Sequence, residues 1–350
     1  MAMYGSTQRF EATPSMRARD LRAVRDDPAV TTVQFTGPLE RRDYRLLEKV
    51  VFSSRPDLEL RMYGWYGLPP IDLGFLRRIP SATRISIDAM RGHDSIFSSE
   101  EAGLEVLTER PNLRAVTVGL SGLGDFDFLD GVTENLSELG LHATKSSRPS
   151  LRSLSRFGAL ERLLLERHQR DIDALASLTR LREVVLRSIS TLDLGYLSGL
   201  PRLETVRILL GGIRDLTALA TLESLTTLEL WQVSGLSDLS FISDLTSLET
   251  LSLQSLARVT RLPPLDTCRR LRRITLETMR GLVDVATLEA APALAHFHFA
   301  DASPAQPEML VPLLRNPSVV SAGAGFGGLK KNARFDALAR SHGKAGRDAR

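Results

Sequence analysis

One six-residue pattern, L-x-x-L-x-L with other aliphatics allowed, limits what this chain can fold into more than any other feature. It reads LRAVTV (113–118), LSELGL (136–141), LERLLL (160–165), LREVVL (181–186), LETVRI (203–208), LTTLEL (225–230), LETLSL (248–253), LRRITL (271–276) and LAHFHF (294–299). Successive starts lie 23, 24, 21, 22, 22, 23, 23 and 23 residues apart. A period held that closely marks a stack of like supersecondary units, none of which can bury its apolar face alone.

A second marker fixes the register independently. Nine residues before each start stands an apolar residue, often preceded by Asp: Asp171-Ile172, Asp193-Leu194, Asp215-Leu216, Asp238-Leu239 and Asp284-Val285. The same offset carries the array toward the N-terminus. Asp72-Leu73 predicts a start at Ala82 with Ile85 and Ile87 inward, and Asp20-Leu21 predicts one at Val30 with Val33 and Phe35 inward. Leu58 and Leu60 mark a turn between them. About twelve turns follow, with a weak thirteenth near Val319.

Residues two apart on a strand share a face, so each L-x-L pair points inward and neighbouring turns must stack into a parallel sheet. The D-L-x-x-L-x-x-L stretch, as in Asp215-Leu216 through Leu219 and Leu222, has helical or 3-10 spacing and closes the other side of the core. Its Asp suits the N-cap of that turn. The expected fold is α/β: a curved solenoid with a concave parallel sheet of about twelve strands and short helical or 3-10 segments on the convex side. The expected divisions are an N-terminal cap over 1–27, the solenoid over 28–324 and a basic, partly disordered tail over 325–350. At about 4.8 Å per strand, twelve strands give a sheet on the order of 50 Å long, the size of a protein ligand.

These repeats resemble the leucine-rich-repeat family over roughly residues 20–324, and the period of about 22 is similar to the internalin-like and phosphatase-regulator-like types. The resemblance implies a binding scaffold. One departure is plain: many such repeats carry Asn three residues after the last strand leucine, whereas here His168, Ile189, Gly211, Val233, Leu256 and Met279 hold that position.

Charge bears on the partner. The chain carries a formal +3. Residues 330–350 hold seven Lys/Arg (Lys330, Lys331, Arg334, Arg340, Lys344, Arg347, Arg350) against Asp336 and Asp348, leaving the body near neutral. A nucleic-acid role is therefore expected only through this tail, with a short helix over Arg334–Ser341 anchored by Phe335 and Leu338. The single cysteine, Cys268, forbids an internal disulfide, and neither a signal peptide nor a membrane-length apolar run is present. The expectation is a cytoplasmic protein, bacterial by its excess of arginine over lysine.

The residues that face outward between the inward leucines form two rows. One runs Gln34, Glu59, Ser86, Thr117, Gly140, Leu164, Val185, Arg207, Glu229, Ser252, Thr275, His298; the other Thr36, Arg61, Asp88, Gly119, His142, Glu166, Arg187, Leu209, Trp231, Gln254, Glu277, Ala300. Interface centres are enriched in Trp, Tyr and Arg. The expected partner-binding residues are thus Leu164, Val185, Arg187, Arg207, Leu209, Glu229, Trp231 and Gln254, where apolar and charged side chains adjoin. A protein partner on the concave face is the leading expectation. A bacterial effector acting on a protein in another cell, and a nucleic-acid-associated protein using the tail, are the alternatives. Tyr63, Trp65 and Tyr66 form a second aromatic group, read as filler of a long connection.

Sharper chemistry finds little support. GAGFGG (323–328) matches a dinucleotide-loop spelling but lacks the following β-α-β unit and acidic residue. His296 and His298, with Glu277 on the next strand, have only loose metal-ligand spacing. Cys268 sits at a core position without a base beside it. No enzyme activity, cofactor, metal or small-molecule substrate is expected.

Overall fold

The computed structural model describes residues 8–64, 72–89 and 95–344. It divides into two compact units, Met1–Leu178 and Thr179–Arg350.

Among its described residues the first unit holds seven strands: β1 (Gln8–Glu11), β2 (Val30–Phe35), β3 (Glu59–Gly64), β4 (Arg84–Ala89), β5 (Ala115–Val118), β6 (Glu138–Leu141) and β7 (Arg162–Glu166). Each pairs in parallel with the next along the chain. Helix α1 (Ala18–Asp26) follows β1 and helix α2 (Arg41–Leu47) follows β2; 3-10 turns serve the later repeats. The second unit repeats the scheme with β8 (Glu183–Arg187), β9 (Thr205–Leu209), β10 (Thr227–Trp231), β11 (Thr250–Gln254), β12 (Arg273–Glu277), β13 (His296–Ala300) and β14 (Ser321–Ala324), again parallel and in sequence order. It closes with helices α3 (Val311–Arg315) and α4 (Leu329–Ser341).

The leucine pattern explains the strands of both units. In β10, Leu228 and Leu230 are fully buried while Thr227, Glu229 and Trp231 on the opposite face are half-buried, and β8, β9 and β11 show the same alternation. Burying one such leucine stabilises by about 1.5–3 kcal/mol, and each repeat supplies several. Cys268 is one of these core residues; its thiol donates to the Ile242 carbonyl of the preceding turn at 3.4 Å, and burial pushes its pKa up.

Fourteen strands are present among the described residues where about twelve are expected. The weak thirteenth turn is β14. The further strand, β1, lies within the segment read as an N-terminal cap and buries almost nothing, so it carries no apolar alternation to betray it. The register of β3 also differs. Arg61, not Glu59, lies opposite Gln34 and Ser86, because Leu60 and Met62 are the inward pair. The slip is of two residues, which keeps every side chain on its expected face.

The missing Asn is replaced by backbone. The residue after each of β8–β12 is left-handed: Ser188, Leu210, Gln232, Ser255 and Thr278, with φ from 50° to 57°. In that conformation its N–H reaches the next repeat, donating to the carbonyls of Leu209, Trp231, Gln254, Glu277 and Ala300 in turn at 2.7–3.1 Å. Ile189, Val233, Leu256 and Met279 then fill the core at the position an Asn would take.

The aspartate column bonds the start of each helical turn as expected, but from the residue before the N-cap. Asp193, Asp215, Asp238 and Asp284 each accept the N–H two residues on, from Gly195, Thr217, Ser240 and Ala286, at 2.8–3.0 Å. Asp171 differs: its backbone is left-handed and its carboxylate accepts from the Ser150 hydroxyl instead. Between β11 and β12, Arg261-Leu262-Pro263-Pro264 stands in place of the Asp-led stretch, and no helical turn forms.

The C-terminal helix is longer than the expected Arg334–Ser341. It buries Phe335 and Ala339, while Leu338 is half-buried. Phe335 meets Phe326, which is buried beyond β14, at 5.8 Å between centroids. Residues 345–350 of the tail lie outside the described residues.

Candidate protein-binding face

In each unit the inward leucines leave one sheet face for other work. In the second unit the register places seven of the eight expected residues in two adjoining rows. Val185, Arg207 and Glu229 form one; Arg187, Leu209, Trp231 and Gln254 form the other. All seven are half-buried. Leu164 lies on β7 of the first unit, half-buried opposite Gly140.

The geometry gives these residues unequal roles. Arg207 pairs with Glu229 at 3.2 Å and also donates to Glu183, so its charge is already neutralised. Trp231 has the Arg187 guanidinium over its ring, 5.8 Å from the centroid, and Leu209 as its cross-strand neighbour. The cation holds the indole from one side and the leucine from the strand beside it. The strongly exposed large apolar side chains, Ile96, Leu192, Val283, Val320 and Leu329, all lie outside this face's rows. The rows thus form a half-buried surface that carries Trp231 under the Arg187 guanidinium.

Reading two outward rows missed a third. The first residue of each strand points the same way, giving Glu183, Thr205, Thr227, Thr250, Arg273 and His296. The period-two rule applied one step further back would have found it. This row contains the partner that neutralises Arg207 and a floor of threonine hydroxyls.

The first unit's open face is tied into ion pairs. Glu138 takes both Arg84, at 2.6 Å, and Arg162. Its two arginine hydrogen bonds hold the carboxylate below its usual pKa although burial pushes the other way. Arg61 pairs with Asp88 at 2.6 Å and lies over the Tyr63 ring, whose hydroxyl donates to Glu11 at 2.9 Å. Tyr63 is therefore part of the sheet face; Trp65 and Tyr66 of the same aromatic group lie outside the described residues.

The remaining candidates resolve individually. His296 and His298 are exposed on β13, with Glu277 opposite Ala300 and thus only diagonal to His298. No three groups that could hold a metal ion come together among the described residues. In GAGFGG the backbone N–H of Phe326 donates to the Asn332 side chain at 2.8 Å and Gly328 caps α4, so the loop joins the last strand to the terminal helix. Three basic residues of this region are engaged: Lys331 donates to the Ser303 and Ala305 carbonyls at 2.9 Å, Lys344, just past the helix, to those of Asn316 and Val319, and Arg334 pairs with Glu308 at 2.7 Å. No helix among the described residues is long and apolar enough to cross a membrane.

No protein-family model matches the sequence, and no curated protein sequence matches it. Among solved structures, the leucine-rich-repeat domain of the type III effector XopL is similar with a TM-score of 0.50 and 21% identity, over 64% of this chain and 81% of its own. A leucine-rich-repeat protein of Leptospira interrogans matches over 90% of this chain and 76% of its own, at TM-score 0.48 and 15% identity. An internalin of Listeria monocytogenes, inlF, matches over 88% and 81%, at TM-score 0.45 and 16% identity.

Proposed function

We propose that this chain, a leucine-rich-repeat protein by fold, is a binding scaffold that holds a partner protein on the open sheet face of its second unit, centred on Trp231. One observation carries the reading. Arg187, Leu209, Trp231 and Gln254 stand in register across four hydrogen-bonded strands, with the indole held under a guanidinium. An aromatic group fixed on a rigid sheet loses little freedom on binding, and such residues dominate interface energies. Arg207 and Glu229 shape the surface through their mutual pair, and Val185 extends its apolar part.

Affinity capture from cells that express the protein tests this. Wild type is compared with a Trp231→Ala/Leu209→Ser variant matched by circular dichroism. A protein partner retained by wild type and lost by the variant is the expected result; a partner list unchanged by the variant rejects the site. An effector acting in another cell would use the same face and differ in where its partner is found. The nucleic-acid reading through the tail is disfavoured because Lys331, Arg334 and Lys344 already serve the terminal cap.

A further inference from the structure

The densest run of positive charge among the described residues lies not on the terminal helix but at the start of β12, in its repeat. Residues 258–280 hold seven arginines against Asp266 and Glu277, a net +5. Four of them, Arg269, Arg270, Arg272 and Arg273, sit in a run of five residues, with only Leu271 between them buried. All four are exposed. Elsewhere in this unit arginines near the sheet are paired: Arg182 with Glu204 at 2.8 Å, and Arg207 with Glu229 at 3.2 Å. The four in this run make no ion pair within 4.0 Å among the described residues.

The register carries this charge onto the open face. Arg273 lies opposite His296, and Thr275 of the same strand opposite His298; both histidines are exposed. Arg269 to Arg272 approach the same end of β12 from the turn before it. By strand rise and spacing, Arg273 lies about 16 Å from Trp231, across two strands and four residues. The ground between is Thr250, Ser252 and Thr275, small hydroxyls that leave a shallow floor.

We propose that Arg269, Arg270, Arg272 and Arg273, with His296 and His298, receive a short acidic segment of the partner protein. The proposal rests on the reading of this face as the partner surface and adds the partner's chemistry: carboxylates placed about 16 Å from the apolar group that meets Trp231. Guanidinium groups pair carboxylates in bidentate fashion, and an unpaired exposed cluster can do so without first breaking internal ion pairs. A long polyanion fits less well. The cationic stretch spans two strands, and Glu249 on the β11 side and Glu277 at the far end of β12 would repel a chain running past it. No aromatic side chain lies on β11 or β12 to stack a base.

The test uses the full chain, a fluorescein-labelled octaglutamate peptide and a 20-nucleotide oligouridylate, with anisotropy read at low salt. Octaglutamate binding should weaken at least tenfold in Arg269→Ser/Arg272→Ser/Arg273→Ser and recover in the corresponding Lys variant. It should change less than twofold in Arg180→Ser/Arg202→Ser/Arg214→Ser, which removes equal charge elsewhere in the unit. Absence of peptide binding, equal losses in the two serine variants, or tighter binding of the oligonucleotide through the same three arginines would each overturn the proposal. Trp231→Ala should leave octaglutamate binding unchanged, since that peptide has no apolar side chain. A captured partner lost by Trp231→Ala but kept by the arginine variant would reject this patch and leave the Trp231 face standing.

Discussion

At the scale of single residues, what the amino-acid order reveals depends on whether a residue's partner shares the period. The leucines recur every 21–24 positions and the capping aspartates keep their register in all but one of the later repeats, so their places could be read directly. Arg207 could be placed on the open face but not weighed, because Glu183 meets it from 24 residues away across a strand pair. His168 is a similar case. It stands where an Asn is usual, is buried, packs edge-on to Phe126 at 4.8 Å, and bonds the His142 carbonyl at 3.1 Å. Burial pushes its pKa below the ordinary histidine value, against that hydrogen bond. The unfolded chain therefore takes up this proton first as pH falls. The stability tied to a neutral His168 is present above about pH 6.5 and is lost as pH drops through the lower folded value. Thermal midpoints of wild type and His168→Gln measured from pH 7.5 to 5.5 check this: wild type should fall more steeply, and parallel slopes would remove the assignment.

At the scale of the repeat, two devices hold the turning backbone. One is the aspartate cap. Asp238 accepts both the backbone N–H and the hydroxyl of Ser240 at 2.9 Å, so Asp238→Ala should lower stability by about 1 kcal/mol in denaturant titration. The other is the left-handed residue after each of β8–β12, which costs a non-glycine residue about 1–2 kcal/mol. Thr278 is β-branched and holds φ 50°. Thr278→Gly should therefore raise stability by roughly 0.5–1 kcal/mol, whereas loss of stability would mean that its 3.2 Å bond to Asp301 outweighs the backbone cost. The absence of the Asn was legible; its replacement was not, because left-handed backbone at Ser, Leu, Gln and Thr leaves no compositional mark. The β3 register had the opposite difficulty. Leu58, Leu60 and Met62 are three alternating apolar residues, and two frames fit them equally well until the pairing partners are known.

At the scale of the whole molecule, a stack of repeats leaves apolar ends that must be covered. The C-terminal end is covered by α4, through Phe335 and Ala339, with Lys331, Arg334 and Lys344 fastening it to carbonyls and to Glu308. Three of the basic residues near the C-terminus thus serve as ties. Truncation at residue 328 should lower the thermal midpoint and promote aggregation while leaving octaglutamate binding intact; a truncated chain as stable as wild type would contradict the capping role. The proposed binding residues were legible as positions on a face, since repetition fixes which side chains point out. Their ranking was not, because it depends on which charges are already spent between strands. The most direct test of the central claim is site-specific photo-crosslinking in cells that express the protein, with benzoylphenylalanine placed at Gln254 on the open face or at Glu223 on the turn side. A discrete protein adduct from position 254 and none from position 223 is the predicted result. An adduct from position 223 alone, or the same adduct from both, would contradict a partner held on the sheet face around Trp231.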